Sequence, residues 1–349
     1  MKQEKTFLER VASLFFNSKN NDNKKYRLTN ETIKVDGKTL YRIEALKNFA
    51  KDSEGYYAVM KGQKGGFVQS DKNLSHFGDC WVGDNAMVFD NAKVTLNAYV
   101  GDKAKISENA LVSDNAFVVG KSEISGNAKI LDKAQILHKA NVFGHATIED
   151  KAEVSGNAKV FGSATISDNA TVLQNAQVSG CAHIYDNSSI YNNAKVEGNT
   201  SIGLHSSIGG NAIVGDNRSF DRMNFGSINV SGDMKVMENL RNYKGAELNS
   251  LQVTKLLEGK TVLVNDIPLP TPDKSQKTYN DFIKLNPTTG KLEKVPVTNF
   301  ESSVQLAINN GGVLINKETI MDKIQQKNND APKPKLNNLK VNKPKGFKM

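Results

Sequence analysis

The chain has 349 residues, with 46 basic and 37 acidic side chains, a formal net charge of +9 and two cysteines. That composition excludes a disulfide-built domain, and no run of 18 apolar residues predicts an α-helical membrane span. The charge is uneven: residues 1 to 76 carry 15 basic and 9 acidic groups, residues 77 to 214 carry 10 and 14, and residues 215 to 349 carry 21 and 14.

From the N-terminus, Phe7, Leu8, Val11, Leu14 and Phe15 form a helical stripe, which predicts an amphipathic helix over residues 1–16, docked on this chain or on a neighbour, with a membrane-surface anchor as the alternative. Glu4, Glu9 and Arg10, with no small-residue cleavage site, argue against a secretory signal. Residues 17–25 read as a polar linker. Residues 26–76 read as an N-terminal cap module containing a hairpin at Asp36-Gly37. Gly65 and Gly66 allow a tight approach, and Phe67, Leu74 and Trp81 are placed to close the open end of the repeat that begins at residue 77.

Residues 77–214 keep a six-residue beat. Stepping by six from Val82 to Val214 meets Val or Ile at all 23 positions. Two residues before each stands a small side chain, Ala in 18 cases and Cys80, Ser122, Ser188, Thr200 or Ser206 in the others. One residue earlier again, 13 of 23 are Asn and none is Val, Ile or Thr. Residues two apart on a strand share a face, so the small and aliphatic residues point to one core. The Asn position is then expected at a bend in the left-handed region, which Asn tolerates and β-branched residues avoid. Cys80 falls in an inward small position and Cys181 at a bend, about 25 Å apart along stacked strands and beyond disulfide reach. Free thiols point to a reducing, cytoplasmic setting.

This aliphatic-x-x-x-small-x pattern resembles the hexapeptide-repeat family. The resemblance implies an all-β solenoid, a left-handed parallel β-helix with three units per coil, and a habit of forming trimers of parallel prisms. At 18 residues per coil the segment makes about 7 to 8 coils, roughly 37 Å at about 4.8 Å per strand. The lead-in from Lys61 to Val82, with Gly65-Gly66-Phe67-Val68, Lys72-Asn73-Leu74 and Gly78-Asp79-Cys80-Trp81, resembles a bacterial and phage group of such proteins. Its members are commonly labelled acyltransferases by fold analogy. That likeness implies a bacterial or phage setting, with a virion as an alternative location, while the hairpin of residues 281–297 and the Lys-Pro-Lys-Gly-Phe-Lys-Met ending faintly resemble proteins of Bacteroidota mobile elements.

Beyond Val214 the beat decays, and residues 215–240 read as the far cap. Residues 241–326 read as a small α+β module. Asn249 to Gly259 is predicted helical, Lys260 to Asn265 a strand, Asp281 to Val297 a hairpin over Pro287 to Gly290, and Lys317 to Lys327 a closing helix. Residues 327–349 hold seven Lys against Asp330, broken by Pro, and read as a disordered basic tail that could touch nucleic acid weakly.

Chemistry is sparse. The five histidines are His76, His138, His145, His183 and His205. No loop is inserted in 23 units, so no pocket is expected around any of them. The spacing of His138 and His145 does not suit a zinc site, and no phosphate-binding loop or nucleophile motif occurs. No catalytic residue, metal or cofactor is therefore expected. The resemblance offers the alternative of an interface acyltransferase with His76 or His145 as base. A further alternative is a binding protein in which the rod is a spacer and the basic tail of residues 327–349 meets nucleic acid. The leading expectation is a non-catalytic scaffold that meets itself, as a trimer, or another protein. Its candidate contact residues are outward apolar positions: Tyr99, Phe117, Val119 and Leu137 on one face, Phe143 and Phe161 on another. No integral membrane association is expected.

Overall fold

The computed structural model describes residues 24–51, 57–215, 223–224, 228–268 and 278–295. The predicted N-terminal helix, most of the linker, the closing helix and the basic tail lie outside the described residues.

Two-residue strands visit three parallel sheets in turn. Met87–Val88 lies on the first wall, Lys93–Val94 on the second and Tyr99–Val100 on the third. Lys105–Ile106 then returns to the first wall and pairs in register with Met87–Val88. Among the described residues the walls contain 12, 8 and 9 strands, the first count including the antiparallel strands that extend that wall at its N-terminal end, and the chain is a parallel β-solenoid. The reason is local. Each aliphatic from Val82 to Val214 is fully buried, with the small residue two places earlier beside it. The backbone N–H groups of each coil meet carbonyls of the next, as in Val119 N–H to Ile136 O at 2.9 Å.

The bends do not fall on the Asn positions. All 22 residues stepping by six from Asp84 to Gly210, one place before Asn, have φ of +50° to +83°. Asp, Gly and a few longer residues occupy them. Many of the Asp side chains add a bond between coils: Asp150 Oδ2 accepts from Asp168 N–H and Asp168 Oδ2 from Asp186 N–H, both at 3.1 Å. The Asn side chains instead form amide ladders on the corners, such as Asn157 to Asn175 to Asn193 to Asn211. Asn is therefore selected for stacking, and only His205 among these positions shares the left-handed conformation.

The solenoid is longer than the beat. In the lead-in, Val68 pairs with Val88, Leu74 bridges to Val94 and Val82 pairs with Val100, so the segment expected to be a lid is itself a coil. Leu74 does face the core. Phe67 and Trp81 do not: Phe67 lies on the outer side with Leu40 and Phe89, and Trp81 lies in register with outward Tyr99. At the other end Asn229–Val230 and Lys235–Val236 stack on Ser207–Ile208 and Ile213–Val214, continuing the coils through residues expected to form a cap.

The N-terminal end is closed by two hairpins. Strands β1 (Tyr26–Val35) and β2 (Lys38–Ala45) turn at Asp36-Gly37, both at positive φ, as predicted. β2 pairs antiparallel with β5 (Lys64–Val68), extending the first wall. Gly65 and Gly66 are obligatory there, since a Cβ on Gly65 would stand 2.5 Å from the Trp81 ring. Strands β3 (Phe49–Lys51) and β4 (Tyr57–Val59) form the second hairpin. Tyr26 and Ile43 plug the prism, with the Tyr26 hydroxyl donating to Leu74 O at 2.8 Å.

At the far end helix α1 (Ser250–Leu257) is started by a capping box between Asn249 and Gln252. It packs Val253 and Leu256 beside the antiparallel strands Val262–Pro268, Thr278–Leu285 and Leu292–Lys294. The Pro287–Gly290 turn then covers the last strand of the first wall. Lys235 N–H donates to Pro287 O at 3.1 Å and Met237 N–H to Gly290 O at 2.8 Å.

Candidate interaction surface

On the third wall, register places Trp81, Tyr99, Phe117 and Gln135 in one outward column. Trp81 is only 2 % exposed because Phe49 meets it edge-on at 5.4 Å from the β3–β4 hairpin. Its indole N–H is enclosed without an acceptor among the described residues. Tyr99 lies flat over Gly101 and Gly83, glycines whose missing Cβ atoms make room for the ring. Its hydroxyl donates to Asp84 Oδ2 at 3.3 Å, and burial, helped by that carboxylate, pushes its pKa up to about 12. Phe117 stacks on Tyr99 with ring centres 5.4 Å apart and is 40 % exposed.

Val119 and Leu137 are half-buried one coil apart beside this column, on the same wall. Phe143 and Phe161 stack at 5.0 Å and 1° on the first wall. Of the six residues expected to form contacts, four therefore lie on the third wall and two on another. A groove of about 510 Å³ borders the aromatic column, lined by Ala58 and Val59 of the hairpin side and by Asp79, Trp81, Asn97 and Tyr99. Stepping by 18 from Tyr99 also reaches Trp81, so the sequence holds a signal for the whole column. The hairpin that covers it carries no comparable signal, since its strands are three residues each.

The histidines are engaged with the scaffold. His76 Nδ1 accepts from Lys25 N–H at 3.4 Å, its ring stacks on Tyr26 at 4.2 Å, and its Nε2 is enclosed without a partner among the described residues. Burial lowers its pKa to about 4. His138 Nδ1 pairs with Ser155 Oγ at 2.9 Å, His183 Nε2 with Ser167 Oγ at 3.1 Å and His205 Nε2 with Asn187 Nδ2 at 3.1 Å. His145 is exposed on a corner, where its backbone N–H donates to Gly162 O. Among the described residues no group of three or more His, Cys, Asp or Glu is arranged to hold a metal ion, and no helix is long and apolar enough to cross a membrane. Cys80 is buried and Cys181 exposed, both as free thiols.

Residues 164–180 match the model of the YdcK β-solenoid repeat family, nearly one coil of the prism. No curated protein matches the chain.

Proposed function

We propose that this chain is a non-catalytic scaffold: a stiff β-solenoid that holds its terminal modules apart and joins a second copy of itself through the third wall. The observation that carries this reading is the unbroken register from Trp81–Val82 to Ser207–Ile208, eight strands on one wall with no insertion between them. Such a wall offers area and alignment, and the groove beside it is bordered at the hairpin end by Trp81 and Tyr99 with no histidine in its lining. Its exposed aromatic, Phe117, sits with Tyr99, Val119 and Leu137 in one apolar patch, the kind of surface that marks contact.

The acyltransferase alternative, suggested by the lead-in segment, asks for a histidine that can take a proton from a substrate. His76 has one nitrogen accepting from Lys25 and the other enclosed, and His145 stands alone on a corner, which favours the scaffold. The test is light-scattering mass of the full chain and of Phe117→Lys, alongside a thiol-release assay with acetyl-CoA. Self-association lost in the variant, with no thioester turnover, supports the scaffold. A monomer at all concentrations, or turnover abolished by His145→Ala, overturns it.

A further inference from the structure

Lys25 is 1 % exposed, a state lysine almost never adopts unpaired. Its Nζ lies 2.7 Å from Cys80 O, 3.1 Å from Gly78 O and 3.2 Å from Cys80 Sγ, with the Phe49 ring centre 5.2 Å away. Cys80 is fully buried in an inward position that holds Ala in 18 of 23 units. Alanine would satisfy the packing there, so the thiol adds something packing does not require. Burial lowers the lysine pKa and raises that of the thiol, although each partly offsets this for the other. The first trend favours the neutral amine, whose lone pair is nucleophilic, and the second keeps the sulfur as a thiol in direct contact with it. The other cysteine, Cys181, stands several coils away on an exposed corner. An oxidised Cys80 therefore has the Lys25 amine as its adjacent nucleophile.

We propose that peroxide oxidation joins Lys25 Nζ to Cys80 Sγ in a covalent cross-link. Hydrogen peroxide first transfers one oxygen to the sulfur, its O–O bond breaking, to give a sulfenic acid and water. The amine lone pair then attacks sulfur. The S–N bond forms, the S–O bond breaks, and the hydroxyl leaves as a second water with a proton from the amine. The protein loses two hydrogens in total, and one peroxide is reduced to two waters. A thiol reductant reverses the step, restoring amine and thiol while becoming a disulfide. The linkage would staple the start of β1 to the first coil, across 55 residues of chain.

The test uses the full chain carrying Cys181→Ser, treated with hydrogen peroxide and read by intact mass and tryptic mapping. The expected product is two hydrogens lighter, resists trypsin after Lys25, yields one linked peptide containing Lys25 and Cys80, and reverts with dithiothreitol. Cys80→Ala and Lys25→Arg should each reduce that species at least tenfold, as should peroxide treatment in denaturing urea, where the two groups separate. A bridge one oxygen heavier, formed with a second peroxide, joins the same two residues and supports the assignment. Cys80 recovered as sulfinic acid or as free thiol, with Lys25 still cleaved by trypsin, overturns it. So does a cross-link that persists in urea, which would show that the folded pairing is irrelevant.

Discussion

Gly144 sits so close to Gly162 in the next coil that a Cβ on Gly144 would stand 2.9 Å from the Gly162 carbonyl oxygen. Both residues have φ near +75°, and the same closeness recurs from Gly162 to Gly180 and from Gly180 to Gly198. One corner of the prism is thus bare backbone, while the corner of Asp132, Asp150 and Asp168 carries side chains at φ of +52° to +57°.

The two corners should differ under substitution. Gly162→Ala places an L-residue in the left-handed region, at about 1–2 kcal/mol, and adds a clash with Gly180. Asp150→Gly relieves backbone strain while losing the acceptor for Asp168 N–H, so its net change should stay within about 1 kcal/mol. Urea denaturation midpoints of the two variants check the order.

The aliphatic ladder sets the stability of the rod. Ile136 is fully buried, and Ile136→Ala should cost about 2–5 kcal/mol. Lys133→Ala, on the exposed corner nearby, should stay within about 0.5 kcal/mol. Hydrogen exchange of the Val118 and Val154 amides would show whether the loss spreads to neighbouring coils.

Acid should act through His76. Its pKa is about 4 in the folded chain, against 6.5 when unperturbed, so between these values the unfolded chain binds more protons. That part of the stability is complete above pH 6.5 and is lost as pH falls through 4. His76→Asn keeps an acceptor for Lys25 N–H but does not titrate, and its melting temperature should fall less than the wild type's over the same interval.

Self-association should depend on the third wall. Phe117→Lys should weaken it tenfold or more, about 1.4 kcal/mol, whereas Phe161→Lys on the first wall should change it little. Sedimentation equilibrium of both variants separates the two walls.

The far edge is guarded by a turn. A Cβ on Gly290 would collide with Met237, so Gly290→Val should displace the turn and free the Lys235 and Met237 N–H groups. Exposed sheet edges recruit other strands. Light scattering over hours should rise for this variant, while Gly259→Ala, where a Cβ meets nothing within 4 Å, should not aggregate.

The repeat is legible because each unit makes the same choice: an aliphatic and a small residue inward, a bend after them. What escapes a reading by period are the places where the count changes. Val214 pairs with Val236, 22 residues on rather than 18, and Val68 with Val88, 20 on. Extra residues between successive strands leave the strands stacked but break the beat, so true coils read as caps. The bend lies one residue before its expected place because Asn both tolerates left-handed backbone and stacks well, and only the folded geometry separates the two causes. The Asp36-Gly37 and Pro287–Gly290 turns are readable from local chemistry. The docking of the second is not, since the bonds from Lys235 and Met237 span some 50 residues of chain. At the candidate surface Tyr99 and Phe117 follow from the period, but the shielding of Trp81 by Phe49 is a long-range contact with no pattern behind it.

Val82 pairs with Val100, and the same step recurs along that wall as far as Ile190 with Ile208, each rung repeating its predecessor at a strand separation of roughly 4.8 Å. Distance between the two ends is therefore quantised. Duplicating or deleting one eighteen-residue period moves the terminal modules by a single fixed increment and disturbs neither lid, so this architecture behaves as a ruler whose graduations are written in the gene.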